Sequence, residues 1–125
     1  MDRSRVILLS IATTAAIGIW LWLSPPRLLL NYMKPVDLGD TVAAGKVVIA
    51  KYGCRKCHMI GEEGHPLKAP NLNNVTARYD PIALRLWLQN PRSIKWKTLM
   101  PDFRLSDPEI EAIISYLSTL NHPSD

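Results

Sequence analysis

Residues Val6 to Leu23, VILLSIATTAAIGIWLWL, run for eighteen positions without a charge. A helix rising ~1.5 Å per residue carries such a run across about 27 Å, close to the ~30 Å hydrocarbon layer of a bilayer. Backbone in lipid must satisfy its own hydrogen bonds, so a single helix is the structure open to it. A cleaved signal peptide is the rival reading, with Arg3 and Arg5 as its positive region. The run is longer than the usual ~7–15-residue core of a signal peptide. It also ends in Trp20, Leu21, Trp22, Leu23, Ser24, Pro25 and Pro26, without a small-x-small cleavage site. A retained membrane anchor is therefore expected. Trp20, Trp22 and Tyr32 suit the lipid–water boundary, and Pro25-Pro26 ends the helix for want of amide donors. Charge orients the span weakly, because Arg3 and Arg5 precede it and Arg27 and Lys34 follow it. Ser10, Thr14 and Gly18 share one helix face, which suits close packing on another membrane subunit. Such residues are also common on faces that meet only lipid, and that reading is preferred.

The remainder is one small domain. The 125 residues exclude a multidomain enzyme or repeat array, and two cysteines exclude a disulfide-stapled mini-protein. A net charge of +4 does not by itself indicate nucleic acid, and none is expected as a partner. We divide the chain into an anchor and juxtamembrane segment, 1–34, and a domain, 35–125. The fold class is all-α, with three to five short helices in the domain. One helix is expected over about Thr41–Tyr52, capped by Asp40 or Thr41, with Val42, Val48, Ile49 and Tyr52 inward. Asp80-Pro81 opens a second, through Leu84, Trp87 and Leu88, which Asn90-Pro91 stops. Ser106 and Glu109 form a capping box before Ile110, Ile113, Ile114, Leu117 and Leu120, spaced as one helix face. No stretch sustains strand alternation. So few short helices leave a thin core, which a metal or large prosthetic group often completes.

Cys54-Arg55-Lys56-Cys57-His58 supplies one. C-x-x-C-H is the covalent attachment site of a c-type haem. Thiols three residues apart near a helix end project to one side and reach two vinyl groups, and the next histidine is carried under the ring to the iron. Zinc held by Cys54, Cys57, His58 and His65 is an alternative. A thioredoxin-like redox pair would need a βαβ context that is absent. Two unrelated cysteines beside a surface histidine are the bland reading.

A haem iron bound by histidine in an electron carrier usually takes methionine on its other side. Met1 precedes the membrane run, Met33 lies between anchor and domain, and Met59 adjoins His58 on the same side of the ring. Met100, in a loop before Pro101, remains. His58 and Met100 are thus the expected iron ligands, with His65 and His122 as alternatives to Met100.

At this point the chain resembles the class I c-type cytochromes, the membrane-anchored single-haem ones in particular, over about residues 38–120. The likeness rests on Ala44-Gly45-Lys46, on Gly53 with the C-x-x-C-H motif, on Ala69-Pro70-Asn71-Leu72, and on Thr98 to Phe103 leading into the last helix. It implies thioethers at Cys54 and Cys57 and axial bonds from His58 and Met100. It further implies that the Pro70 carbonyl holds the second nitrogen of His58, that Leu72 and Ile94 line the ring, and that Trp87 packs near the propionates. Gly45 would let the first and last domain helices cross closely, opposite Tyr116. Ala69 departs from a common glycine, and Ile49 from a common aromatic.

The function implied is that of an electron-transfer subunit, not itself an enzyme. It would serve a respiratory or photosynthetic membrane complex, carrying electrons from quinol oxidation to an oxidase, a soluble carrier or a reaction centre. A nitric oxide reductase-like complex is the alternative parent, and a gas sensor with a labile Met100 is the alternative of another class. Haem attachment of this class places the domain on the periplasmic side of a bacterial cytoplasmic membrane. Lys51, Arg55, Lys56, Lys68, Lys95 and Lys97 gather around the haem-binding segments and are expected to steer an acidic partner, while the stretch from Asp107 onward carries acids alone.

Overall fold

The computed structural model describes residues 2–121. Helix α1 covers Arg3–Leu23 and α2 covers Arg27–Met33, followed by α3, Thr41–Lys51. A 3-10 turn at Cys54–Lys56 leads to two two-residue strands, β1 (Met59–Ile60) and β2 (Glu63–Gly64). Then come α4 (Val75–Arg78), α5 (Pro81–Gln89), α6 (Pro91–Ile94) and α7 (Asp107–Ser118). The fold is helical, as expected. Its small antiparallel ladder, pairing Met59 with Gly64 and Ile60 with Glu63, is an addition too short for alternation to show in sequence.

Helix α1 is the one described helix long and apolar enough to cross a membrane, and none of its residues is buried. Its hydroxyls are satisfied within the helix. Ser10 bonds the Val6 and Ile7 carbonyls at 3.0 and 2.9 Å, Thr13 the Leu9 carbonyl at 3.0 Å, and Thr14 the Ser10 carbonyl at 2.8 Å. Polar side chains that bond back to their own helix need no neighbouring helix to receive them. After Ser24 and the two prolines the chain resumes as α2, a helix unforeseen in the juxtamembrane segment.

The domain is built on the crossing of α3 and α7. The Asp40 carboxylate caps α3 by accepting from the Ala43 amide at 2.9 Å. Val48 and Ile49 bury against Ile110, Ile113 and Leu117 of α7, whereas Val42, expected inward, is 39% exposed. Asp80 caps α5 through the Ile82 amide at 2.7 Å. Asn90 both ends α5 and caps α6, its Oδ1 accepting from the Ser93 amide at 3.1 Å. A proline placed to stop one helix thus begins the next.

The capping box of α7 forms as expected, and it anchors a buried carboxylate. Glu109 is 1% exposed, and its oxygens accept from Lys51 Nζ (2.8 Å), Tyr52 Oη (2.9 Å) and the Ser106 amide (3.0 Å). Burial pushes this carboxyl up, but the bonds from Lys51, Ser106 and Tyr52 outweigh it and hold Glu109 below the usual carboxylate range. Such a group adds stability above its unfolded pKa of ~4.3, and that stability is lost as pH falls through the lower folded value. Glu109→Gln should cost about 2–3 kcal/mol at neutral pH, the worth of charged hydrogen bonds. It should also make the acid limb of the stability curve shallower. Urea unfolding at neutral pH and below pH ~4 checks both, and an unchanged acid limb would remove Glu109 from it.

Candidate haem site

The 3-10 turn at Cys54–Lys56 places both cysteines and His58 in one compact loop. The Cys57 and His58 amides both donate to the Cys54 carbonyl, at 3.2 and 3.0 Å. Neither cysteine is in a disulfide. Burial raises the Cys54 thiol above its ordinary value.

His58 Nδ1 lies 2.7 Å from the Pro70 carbonyl oxygen. A carbonyl can only accept, so Nδ1 carries a proton, and in the neutral ring the lone pair is then on Nε2. That is the tautomer a metal-binding imidazole needs, with its ring held by a backbone acceptor. The ladder keeps Pro70 in place. The Leu72 amide donates to the Met59 carbonyl at 3.0 Å, and the Asn73 amide group clasps both Gly61 N (2.7 Å) and Gly61 O (2.9 Å). Gly64 sits at φ +125°, and a Cβ there would run into the His58 carbonyl oxygen, so glycine lets the ladder close beneath the motif. Sequence reasoning missed Asn73, because nothing in the run Asn71-Leu72-Asn73-Asn74 marks which amide side chain turns inward.

One hollow takes in both expected iron ligands, His58 and Met100. Leu72 and Val75 wall it on one side, Leu84, Trp87 and Leu88 come from α5, and Ile114 and Leu117 come from α7. Val75, on the short helix α4, is a wall residue that no motif or spacing singled out. Trp87 lines the hollow, and its indole Nε1–H points to Met100 Sδ at 3.0 Å. Thr98 steadies the same loop, its hydroxyl accepting from the Met100 amide at 3.3 Å. Ile94, expected on the ring, is 55% exposed at the end of α6 and takes no part in the hollow.

The alternative ligands are elsewhere. His65 is exposed, and its Nδ1 accepts from the Lys68 amide at 3.1 Å, closing a turn. Met33 lies on the outer face of α2, 65% exposed, and His122 falls outside the described residues. The four-residue zinc set is not assembled: no group of three or more His, Cys, Asp or Glu could hold a metal among the described residues. An apolar hollow that takes in an imidazole and a thioether sulfur, with two free cysteines in the loop that carries the imidazole, suits an iron porphyrin by the chemistry of its donors.

The charges are more interlocked than sequence order suggested. Lys51 is taken by Glu109, and Arg55 Nε pairs with Glu63 at 3.3 Å. Lys56, Lys68, Lys95 and Lys97 have no carboxylate partner among the described residues. Of the C-terminal acids, Asp107 pairs with Arg27, Glu109 with Lys51 and Glu111 with Arg85. The acid-only stretch is therefore largely neutralised at close range.

Comparison with known proteins agrees with this geometry. A nitric oxide reductase subunit of Halomonas halodenitrificans is 34% identical over 89 residues, which cover 64% of this chain and 59% of that relative. The chain thus matches little more than half the length of that protein. The cytochrome c family model matches residues 42–121, from the start of α3 to the end of the described domain. On that match the chain belongs to the cytochrome c family and carries covalently bound haem c with its iron.

Proposed function

We propose that this chain is the membrane-anchored electron-carrying subunit of a nitric oxide reductase-like complex. In this reading residues 1–34 anchor a haem domain, 35–125, on the periplasmic side of a bacterial cytoplasmic membrane. Cys54 and Cys57 form the thioethers, His58 and Met100 hold the iron, Pro70 orients His58, and Leu72 and Trp87 flank the ring. When bound, haem c supplies a one-electron iron couple. With His58 and Met100 both at the hollow, a bound iron would be held by two side chains, which favours electron transfer over chemistry on a substrate. The observation that carries the reading is the 2.7 Å bond between His58 Nδ1 and the Pro70 carbonyl, in a hollow that also contains Met100. The likeness to a nitric oxide reductase subunit favours a reductase complex over other respiratory or photosynthetic partners.

Two measurements test it. The ferrous protein should bind no carbon monoxide, whereas rapid binding would make Met100 labile and the chain a gas sensor. Mild detergent extraction should bring down a larger membrane oxidoreductase subunit, and a chain that purifies alone would count against the complex.

Lys56, Lys68, Lys95 and Lys97 are the cations left to steer an acidic redox partner. Electron exchange should therefore slow severalfold as the Debye length shrinks from ~30 Å in dilute salt to ~8 Å at physiological strength. A stopped-flow rate indifferent to salt would remove the steering.

A further inference from the structure

Helix α2 carries its polarity the wrong way round for a helix on a water-soluble surface. Arg27, Leu30, Asn31 and Lys34 fall at helical spacing on one face, and that face is bonded to the domain. Asn31 exchanges two hydrogen bonds with the first residue of α7: Nδ2 donates to Asp107 Oδ2 at 2.7 Å, and Oδ1 accepts from the Asp107 amide at 2.8 Å. Arg27 Nε donates to Asp107 Oδ1 at 3.0 Å, and Arg27 Nη2 to the Leu105 carbonyl at 3.2 Å. Lys34 Nζ donates to the Arg104 carbonyl at 2.8 Å, and the Lys34 carbonyl accepts from Ser106 Oγ at 2.8 Å. Leu30 is buried between these groups, 8% exposed. The opposite face shows Leu28 and Tyr32, each 84% exposed, and Met33, 65% exposed.

A helix beside water normally turns its charges outward and its apolar stripe inward. Here the apolar side chains face away from the protein. Only Ser24, Pro25 and Pro26 separate α2 from the end of the membrane helix at Leu23, so α2 begins within about 10–14 Å of the bilayer edge. An amphipathic helix at that depth buries its apolar face at the headgroup–acyl boundary, where tyrosine is favoured.

We infer that α2 lies in the membrane surface, with Leu28, Tyr32 and Met33 in lipid and its polar face fastened to the start of α7. The haem domain is then held against the bilayer in one orientation and does not swing on a free tether. This rests on the reading of α1 as a span, and the experiment separates the two. The full-length haem protein is reconstituted alone in phosphatidylcholine–phosphatidylglycerol vesicles, with a nitroxide on Leu28→Cys or Tyr32→Cys. Ile17→Cys in α1 and Val47→Cys on the domain surface serve as references. Relaxation by oxygen, which concentrates in lipid, is compared with relaxation by a water-soluble nickel chelate. Labels at 28 and 32 should favour oxygen severalfold more than the label at 47, and less than the label at 17. Chelate access equal to that at 47 would place α2 in water and overturn the inference. Shielding from both reagents would mean that a second copy covers this face, which also overturns it. Chelate access at 17 would instead remove the span itself.

The fastening has its own readout. In oriented bilayers the haem of the unaltered protein should show linear dichroism. The double variant Arg27→Ala/Asn31→Ala should lose it severalfold while its absorption spectrum stays the same. Equal dichroism in both proteins would refute the fastening through Arg27 and Asn31, and none in either would refute the fixed orientation.

Discussion

Met100→His is expected to lower the reduction potential by a few tenths of a volt, inside the ~0.8 V that axial ligands span. The cause is the donor. A thioether is neutral and weakly basic, so it favours ferrous iron, whereas imidazole nitrogen supports the ferric charge better. The weak far-red absorption that accompanies sulfur bound to ferric haem should disappear as well. Met100→Ala should go further and open the sixth position, so that the ferrous protein binds carbon monoxide where the parent does not. No other methionine among the described residues is placed to compensate. Met33 is on the outer face of α2, and Met59 is held in β1 next to His58. His65 already closes its own turn through the Lys68 amide at 3.1 Å. A redox titration and a visible spectrum decide it. If Met100→His changed neither, Met100 would not be a ligand, and the 3.0 Å approach of Trp87 to its sulfur would be ordinary packing.

Residue types and short spacings were enough to read α1, α3, α5 and α7 and to single out the C-x-x-C-H motif, but not α2, α4 or α6. Asp40, Asp80 and the Ser106–Glu109 pair cap the helices they were expected to cap, because a cap depends on neighbours within three residues. His58 and Pro70 meet as the family resemblance implied. Reading failed where a role depends on distant contacts. Arg27 and Asn31 look like juxtamembrane polar residues until α2 folds back and sets them against Asp107, 80 and 76 positions away. Trp87 has a donor group, but only the path of the 98–103 loop decides what that group faces. The six cations near the motif looked like one field, yet Lys51 and Arg55 are occupied by Glu109 and Glu63. Sequence shows that a charge exists, while its partner is decided by the fold.

Gly45→Ala should be among the most damaging single-methyl substitutions in the chain. Where α3 crosses α7, a Cβ on Gly45 would overlap the Ala112 carbonyl oxygen and stand 2.7 Å from Tyr116 Cβ. Neither obstacle is the movable end of a side chain. The first is backbone in the middle of α7, so the helices must separate to admit the methyl. Separation would loosen the contact of Val48 and Ile49 with Ile110 and Ile113 and stretch the Lys51–Glu109 bond, which spans the same crossing. Overpacking of this kind costs about 3 kcal/mol or more, a large part of the ~5–15 kcal/mol that holds a domain together. For a domain of this size that lowers the melting temperature by roughly 10–25 °C. Gly18→Ala is the control: nothing lies within 4 Å of a Cβ there, and alanine is the better helix former. Tyr116→Gly should not rescue Gly45→Ala, because truncating that side chain leaves the Ala112 carbonyl where it is. Thermal unfolding followed by circular dichroism measures all three. Should Gly45→Ala melt within a degree or two of the parent, the crossing has slack, and the haem hollow walled by Ile114 and Leu117 is not held by it.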